Sequence, residues 1–367
     1  MKIEFIDLKQ QYQAYKDEID QQMQEVITNA SFIMGKQIGL LEENLAAFVG
    51  VNHCISCASG TDALLLALMS YGLKADDEIV TTAFSFIATS EIISFLGANP
   101  VFVDIDPETF NIDPQKIEAV ITPKTKGIIV ADLFGQCADY DAIETIAKEK
   151  NLFVIEDAAQ SFGAKYQEKE ACSLTEIGCT SFFPAKPLGC FGDGGAVFTN
   201  DDAKAELMKS FRTHGSGSQK YEHTRIGLNA RLDTLQAAIL LVKLKHFPQE
   251  IINRNKAAEY YDQNLCREVI TPKIRHGNLS VYGQYVIKVE KREELQKTLK
   301  EKGIPTAIHY PKALHLQPAF SYLGYKEGDF PIAESVCNKV LALPMHPFLT
   351  EAVQNEIVTA INSFYER

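Results

Sequence analysis

Apolar residues at Leu8, Tyr12, Tyr15, Ile19, Met23, Val26 and Ile27 fall three and four positions apart. This spacing predicts an amphipathic helix that packs on a domain by one face. A glycine-containing loop, Ser31 to Gly39, separates it from a second helical stretch, Leu40 to Val49, with Leu41, Leu45 and Phe48 inward. HCISC (His53 to Cys57) reads as a strand, Ala58-Ser59-Gly60 breaks it, and Thr61 to Tyr71 is helical again.

Strands and helices then alternate: EIVTT, a helix over Ile87 to Phe95, PVFVDID, and a helix over Pro114 to Val120. GIIVADLFG, a helix over Tyr140 to Lys150, and LFVIE ending at Asp157 continue the series. Near-continuous apolar strands separated by helices predict an α/β fold whose mostly parallel sheet is covered on both faces. Between Cys179 and Asn200 the runs CTSFF and GAVFTN are joined by an irregular loop without a helix, which predicts an antiparallel member in the sheet. A helix over Asp202 to Thr213, a flexible, partly basic loop over Arg212 to Ser218, the polar stretch TRIGLNARLD and a helix over Thr234 to Lys245 follow.

Pro248 marks a change of texture. A helix to about Asn264, VYGQYVIKV, a helix over Glu293 to Lys302, IPTAIHYP, a helix around Ile332 to Leu341, LPMHP and a final helix from Thr350 make an α+β remainder. The expected organisation is an N-terminal arm with a large domain over residues 1–247 and a small C-terminal domain over 248–367.

Composition narrows the function classes. The 367 residues are 46% hydrophobic and 23% charged, enough for a sizeable core. The net charge of −12 gives a long-range field of the wrong sign for nucleic acid or an anionic membrane. An anionic ligand must therefore meet a locally basic pocket. No run approaches the roughly 18 apolar residues of a membrane span, and Met1-Lys2 opens into IEFIDL without a signal-peptide layout, so a cytoplasmic location is expected. Eight cysteines are too dilute for a disulfide framework. Cys54-Ile55-Ser56-Cys57 spells CxxC, but no second pair follows at ligand spacing, so no metal site is expected.

The candidate chemistry centres on Lys186. Lysine is ordinarily a solvated surface charge. Here Phe182 and Phe183 precede it, and Pro184, Pro187, Gly189, Gly192, Gly194 and Gly195 surround it, which places the side chain at the mouth of a packed sheet. Desolvation there lowers its pKa and makes the amine nucleophilic. With Asp157 29 residues earlier at another strand end, the chemistry that wants such an amine is a Schiff base to pyridoxal 5'-phosphate. Asp157 would keep the pyridine nitrogen protonated. Strand, Ser59-Gly60-Thr61-Asp62, helix is a way to present free amides to a phosphate, although an ordinary helix cap by Ser59 or Thr61 has the same spelling. Gly60-Thr61, Asp157 and Lys186 all fall at strand ends, where ligands of such sheets bind.

ASGTDALLLAL, SFIATSE, IEDAAQSFGA, FFPAKPLGCFGDGGAVFTN, RLDTLQAAIL, IPTAIHYP and LPMHP occur in one order along the chain. In this it resembles the DegT/DnrJ-type nucleotide-sugar aminotransferases, of the fold-type I, aspartate aminotransferase-like pyridoxal phosphate class. Within that family it is most similar to bacterial enzymes that aminate C3 of UDP-2-acetamido-2-deoxy-3-keto-hexuluronate for surface polysaccharide. The resemblance implies a homodimer with shared active sites, L-glutamate as donor, a ketosugar nucleotide as acceptor, and pyridoxamine phosphate as the aminated cofactor. It also implies a large domain with a mostly parallel mixed sheet and a smaller α+β domain.

Residue by residue, Lys186 matches the lysine that carries the cofactor, Asp157 the pyridinium partner, and Gln160 the residue near the ring hydroxyl. Gly60, Thr61 and Ser181 match phosphate contacts, and Asn229 one that arrives from the other subunit. Phe86 holds the position of the aromatic that stacks on the ring, where relatives often carry Tyr or Trp. His309, Tyr310, Arg225 and Arg231 are placed near the sugar nucleotide, since arginine's fork suits carboxylate and pyrophosphate; surface salt bridges are the competing role for Arg225. Same-fold alternatives are a dTDP-3-keto-6-deoxyhexose 3-aminotransferase, a C4 nucleotide-sugar aminotransferase, and a ketosugar dehydratase, whose branch replaces the lysine by histidine. A noncatalytic regulator is the alternative of a different class; Lys186, Asp157 and the phosphate loop all speak against it.

Overall fold

The computed structural model describes residues 3–366. Its first half runs α1 (Leu8–Thr28), α2 (Lys36–Val49), β1 (His53–Cys57), α3 (Gly60–Ser70), β2 (Glu78–Thr82), α4 (Ala88–Phe95), β3 (Asn99–Val103), β4 (Thr125–Ala131), α5 (Tyr140–Lys150) and β5 (Phe153–Asp157). The short strands β6 (Lys165–Tyr166) and β7 (Lys169–Glu170), then β8 (Ile177–Ser181), β9 (Gly195–Thr199) and α6 (Asp202–Arg212), lead into α7 (Thr234–Asn264). The rest is β10 (Asn278–Leu279), β11 (Tyr285–Lys288), α8 (Arg292–Glu301), α9 (Pro331–Lys339), β12 (Val340–Leu343) and α10 (Glu351–Tyr365).

Seven strands form the main sheet in the order β1-β9-β8-β5-β4-β2-β3. β9 is antiparallel to both β1 and β8, and the remaining pairs are parallel. The antiparallel member expected after Cys179 is therefore present. Because β9 is flanked by antiparallel partners on both sides, β1, β5 and β8 all end at the same edge of the sheet. One face packs under α2 and the first half of α7, with Leu41, Leu45, Phe162, Phe198 and Phe247 buried. The other packs under α3, where Leu64, Leu66 and Leu68 meet Ile55, Ile155 and Val197. Cys54 and Cys57 fall in these two different layers, as free buried thiols.

Several local expectations change. Pro114 to Val120 makes two short 3-10 turns, Pro114–Lys116 and Glu118–Val120, instead of an α-helix. The second helix begins at Lys36, inside the stretch expected as loop. On α1, Ile19 and Val26 are buried as the spacing requires, whereas Leu8 and Ile27 are exposed. α7 is one helix of 31 residues running through Pro248, where two were expected. Proline deprives the Leu244 carbonyl of its usual partner, and burial of Leu244, Phe247 and Ile251 around the break holds the helix together. The 247/248 boundary thus falls inside a helix. Arg212, which the expected helix and the expected loop shared, ends α6 as a buried side chain that donates to Glu42 and, at 2.8 Å, to the Ser56 carbonyl.

At the ends of β4 and β5 lies a buried pair of carboxyls. Glu156 accepts from the amides of Cys172 (2.6 Å) and Leu174 (3.1 Å). Asp132 Oδ1 accepts from the Ala138 amide (2.9 Å) and the Tyr140 hydroxyl (3.0 Å). Burial raises Asp132 to about 7 and drives Glu156 well above the usual carboxylate range, with the Asp132 charge adding to the rise. In the folded chain this pair keeps a proton that the unfolded chain releases near pH 4. The stability it contributes is therefore complete below about pH 4 and is lost as pH rises through about 7. Asp132→Asn keeps both Oδ1 bonds and removes the like charge. The variant is expected to be more stable than the parent at pH 8 by about 1–2 kcal/mol, with the difference vanishing near pH 4. Urea unfolding at the two pH values checks this; equal destabilisation at both sinks it.

Candidate active site

Two glycines shape the turn between β1 and α3. Gly195, the first residue of β9, pairs with both Cys57 and Ser181. A Cβ on Gly195 would lie 2.3 Å from the Ser59 carbonyl oxygen and 2.8 Å from the Gly60 nitrogen. One on Gly60 would meet the Ser181 Cβ at 2.6 Å. Only with both side chains missing can the turn lie against β9 with the Ser181 side chain beside Gly60. Ser59 caps α3, accepting from the Asp62 amide at 3.0 Å, so the cap reading holds for Ser59. The amides of Gly60 and Thr61, in the first turn of α3, have no acceptor within the helix, and the helix dipole adds positive potential there. Together with the Ser181 hydroxyl they make a cradle of donors for a phosphate ester.

Asp157, the last residue of β5, is buried. Its Oδ2 accepts from the Thr89 hydroxyl at 2.8 Å and its Oδ1 from the Ala159 amide at 3.2 Å. Burial raises its pKa, against the lowering by Thr89, Ala159 and the charge of Lys186. Lys186 is half-buried by residue, with its amine screened from water. Burial lowers its pKa, and the Asp157 carboxylate only partly offsets this. His309 is shifted down by burial and then by the Lys186 charge, which places all three groups in one electrostatic neighbourhood.

Gln160 bridges two elements, its Oε1 accepting from the Phe134 amide (3.0 Å) and its Nε2 donating to the Tyr310 hydroxyl (3.2 Å). The Tyr310 ring lies 6.2 Å from that of Phe86, centroid to centroid. Phe86 itself is 52% exposed, an aromatic face open to a planar ligand. Gly60, Thr61, Ser181, Phe86, Asp157, Gln160, Lys186, His309 and Tyr310 thus belong to the sheet edge and the segments that close over it.

The remaining expected residues lie elsewhere in this chain. Arg225 donates to the Ser210 hydroxyl (2.7 Å), stands over the Phe211 ring and lines a cleft with Lys209, Arg212 and Thr213. Arg231 is half-buried, with its Nε enclosed and unpartnered. Asn229 is exposed, bridged to Thr213 through the backbone. None of the three bonds Lys186, Asp157 or the cradle. Sequence reasoning also passed over Thr89, which orients Asp157. Its signal was present: Thr89 stands three residues after Phe86, at the start of a helix, on the side that faces the same edge.

Pyridoxal 5'-phosphate fits this donor set. The cradle matches its phosphate, the open face of Phe86 its ring, the buried carboxylate its basic nitrogen, and the desolvated amine its aldehyde. No group of metal-ligating side chains occurs among the described residues.

The DegT/DnrJ/EryC1/StrS aminotransferase family model matches residues 13–362. UDP-2-acetamido-2-deoxy-3-oxo-D-glucuronate aminotransferase of Pseudomonas aeruginosa is 50% identical over 362 residues, covering 98% of this chain and all of that one. A protein of Geobacillus stearothermophilus called pleiotropic regulatory protein is 47% identical, over all of this chain and 99% of that one. The crystal structure of a DegT DnrJ EryC1 StrS aminotransferase from Brucella abortus, 41% identical, superimposes with a TM-score of 0.97 over the full length of both chains. A match spanning sheet, lysine turn and cradle alike makes this chain a member of the DegT/DnrJ/EryC1/StrS aminotransferase family.

Proposed function

We propose that this enzyme moves the amino group of L-glutamate to C3 of UDP-2-acetamido-2-deoxy-3-keto-hexuluronate, in the making of surface polysaccharides such as lipopolysaccharide. The observation that carries the reading is a buried Lys186 within electrostatic reach of Asp157, at the sheet edge that carries the Gly60–Ser181 cradle, in a chain half identical to the P. aeruginosa aminotransferase over 98% of its length. The cofactor is pyridoxal 5'-phosphate, which supplies an electron sink when bound.

The chain's own groups do the rest. Asp157, fixed by Thr89, holds the ring nitrogen protonated. Lys186 would anchor the cofactor and, as a free amine, would serve as the base for the donor's α-carbon proton and as the acid that delivers a proton to C3 of the sugar. Gly60, Thr61 and Ser181 hold the phosphate, and Phe86 stacks on the ring without the polar tip of a Tyr or Trp. Gln160, kept in place by Tyr310, serves the ring hydroxyl. His309, Tyr310, Arg225 and Arg231 are assigned to the sugar nucleotide.

We assign a homodimer in which Asn229 of one subunit completes the phosphate site of the other. Exposed apolar side chains at Phe32, Ile33, Met34, Phe183 and Ile226 support such an interface. The division at 247/248 is retained as a proposal, supported by a separate apolar cluster that includes Tyr261, Tyr285, Leu341 and Ile361. A cytoplasmic location accords with eight unpaired cysteines and with no helix, among the described residues, long and apolar enough to cross a membrane.

A regulatory role, suggested by the name of the Geobacillus relative, has no support from the site, where lysine, carboxylate and cradle are all retained. Incubation with pyridoxal phosphate, glutamate and a panel of keto-sugar nucleotides tests the substrate. The UDP-hexuluronate is expected to be aminated at least about 100-fold faster than dTDP-3-keto-6-deoxyhexoses or 4-keto sugars, because a site built for a carboxylate leaves polar groups unpaired without it. Activity confined to the 6-deoxy sugars overturns the choice of substrate but not of reaction.

A further inference from the structure

Helix α7 carries three buried charges on one face: Lys243, Glu250 and Arg254, at 2–3% exposure. Spacings of seven and eleven residues bring them into line along the helix. Glu250 is held by α1, accepting from Gln11 Nε2 at 2.9 and 3.0 Å and from the Tyr15 hydroxyl at 3.0 Å. Arg254 donates to the carbonyls of Tyr282 (3.2 Å) and Met345 (3.4 Å). Lys243 donates to the Gly189 carbonyl, three residues beyond Lys186, and its ammonium stands 5.5 Å from the centre of the Phe191 ring.

The segment that carries Lys186 is short and closed on itself. Phe182 donates to the Gly194 carbonyl (2.7 Å), Lys186 to that of Phe183 (2.8 Å), and Cys190 back to that of Phe182 (2.8 Å). A Cβ on Gly189 would lie 2.5 Å from the Pro184 carbonyl oxygen, so Gly189 is pressed against the backbone just before Lys186. On its other side the turn meets Gln11, Arg254 and His346 around a small cavity that Lys186 also lines. A displacement of Gly189 therefore carries Lys186 with it.

We propose that Lys243 is a positioning residue for Lys186: its buried ammonium, on the same face of α7 as Glu250, pins the Gly189 carbonyl and so sets where the Lys186 amine points. A purely space-filling side chain at this depth would be apolar, because burying an ammonium is costly unless it is paired. Burial lowers the Lys243 pKa to about 8, with Glu250 and Cys190 opposing the shift and Arg254 adding to it. The Glu250 charge thus opposes the loss of the charge that grips Gly189. The proposal rests on the aminotransferase reading only for the importance of Lys186.

The test uses the protein without cofactor, so that it is independent of that reading. Trace acetylation with acetic anhydride across a pH series, followed by mass spectrometry, reports the titration of Lys186. In Lys243→Met the Lys186 midpoint is expected to rise toward that of an ordinary lysine by at least about half a unit, roughly threefold in proton affinity, as the amine leaves its desolvated place. With cofactor loaded, kcat is expected to fall at least about tenfold with the KM for glutamate unchanged, the mark of a lost transition-state arrangement. A folded Lys243→Met protein with an unmoved Lys186 midpoint overturns the proposal, whatever its melting temperature. If that variant does not fold, Glu250→Gln decides. It retains one acceptor oxygen for Gln11 and Tyr15 but withdraws the charge that supports Lys243, and its Lys186 midpoint must move in the same direction for the proposal to stand. Failure of the wild-type protein to take up pyridoxal phosphate would count against the cofactor chemistry and leave this result to be read separately.

Discussion

Lys186→Ala is expected to lower turnover by about 10⁴-fold or more, because one amine serves both as anchor and as proton carrier. The methyl group that remains can neither bond the cofactor covalently nor reach a donor carbon. The cradle at Gly60, Thr61 and Ser181 is untouched by the change, so the variant should still bind pyridoxal phosphate noncovalently. Wild-type protein should be yellow, absorbing near roughly 420 nm and bleached by glutamate. The variant should show the spectrum of the free cofactor and no bleaching on the same timescale. Single-turnover measurements with glutamate read the loss directly, and a rate within tenfold of wild type would refute the assignment. A free amine added in solution offers a further check. It should restore part of the proton transfer without restoring covalent attachment, separating the two duties of the side chain.

Asp157→Asn is expected to cost about 10³-fold, from loss of the charge that keeps the ring nitrogen protonated. The substitution is nearly isosteric. The amide oxygen can accept from Thr89, as Oδ2 does at 2.8 Å, so the fold should survive and the defect should be electronic. Burial makes the contrast large, because a carboxylate in a desolvated site acts far more strongly than the same charge in water. Thr89→Val provides a graded companion. It leaves Asp157 ionisable but removes one bond that lowers its pKa, and about a tenfold loss is expected. Cofactor affinity should change little in either variant, since the phosphate contacts lie at a different strand end. A parallel loss of affinity and rate in Asp157→Asn would place the carboxylate in binding, not in chemistry.

Both predictions rest on residues that were legible before any fold was known, and the reason is local. Lys186 lies among two prolines and four glycines, and Asp157 closes an uninterrupted apolar run, so chain chemistry alone marked them as held groups at strand ends. Short-range periodicity likewise predicted the alternation of strands and helices, and the helix-free loop before β9 predicted its antiparallel sense. Where the signal was weaker the readings drifted. Pro248 looked like a boundary because proline breaks an isolated helix, and it does not break α7, because buried side chains on both flanks outweigh the one missing bond. Nothing local marked Arg212 as buried, because its partner Glu42 lies 170 residues away.

What the sequence determined by itself was the α/β class and the choice of Lys186, Asp157 and Gly60 as candidate site residues, all of which depend on neighbours within a few positions. Tertiary structure decided the rest. Thr89 on Asp157, Tyr310 on Gln160 and Lys243 on Gly189 join residues 68, 150 and 54 positions apart. No periodicity along the chain encodes such pairings. They exist because the sheet order brings three strand ends to one edge and because α7 lays its buried charges against the lysine turn.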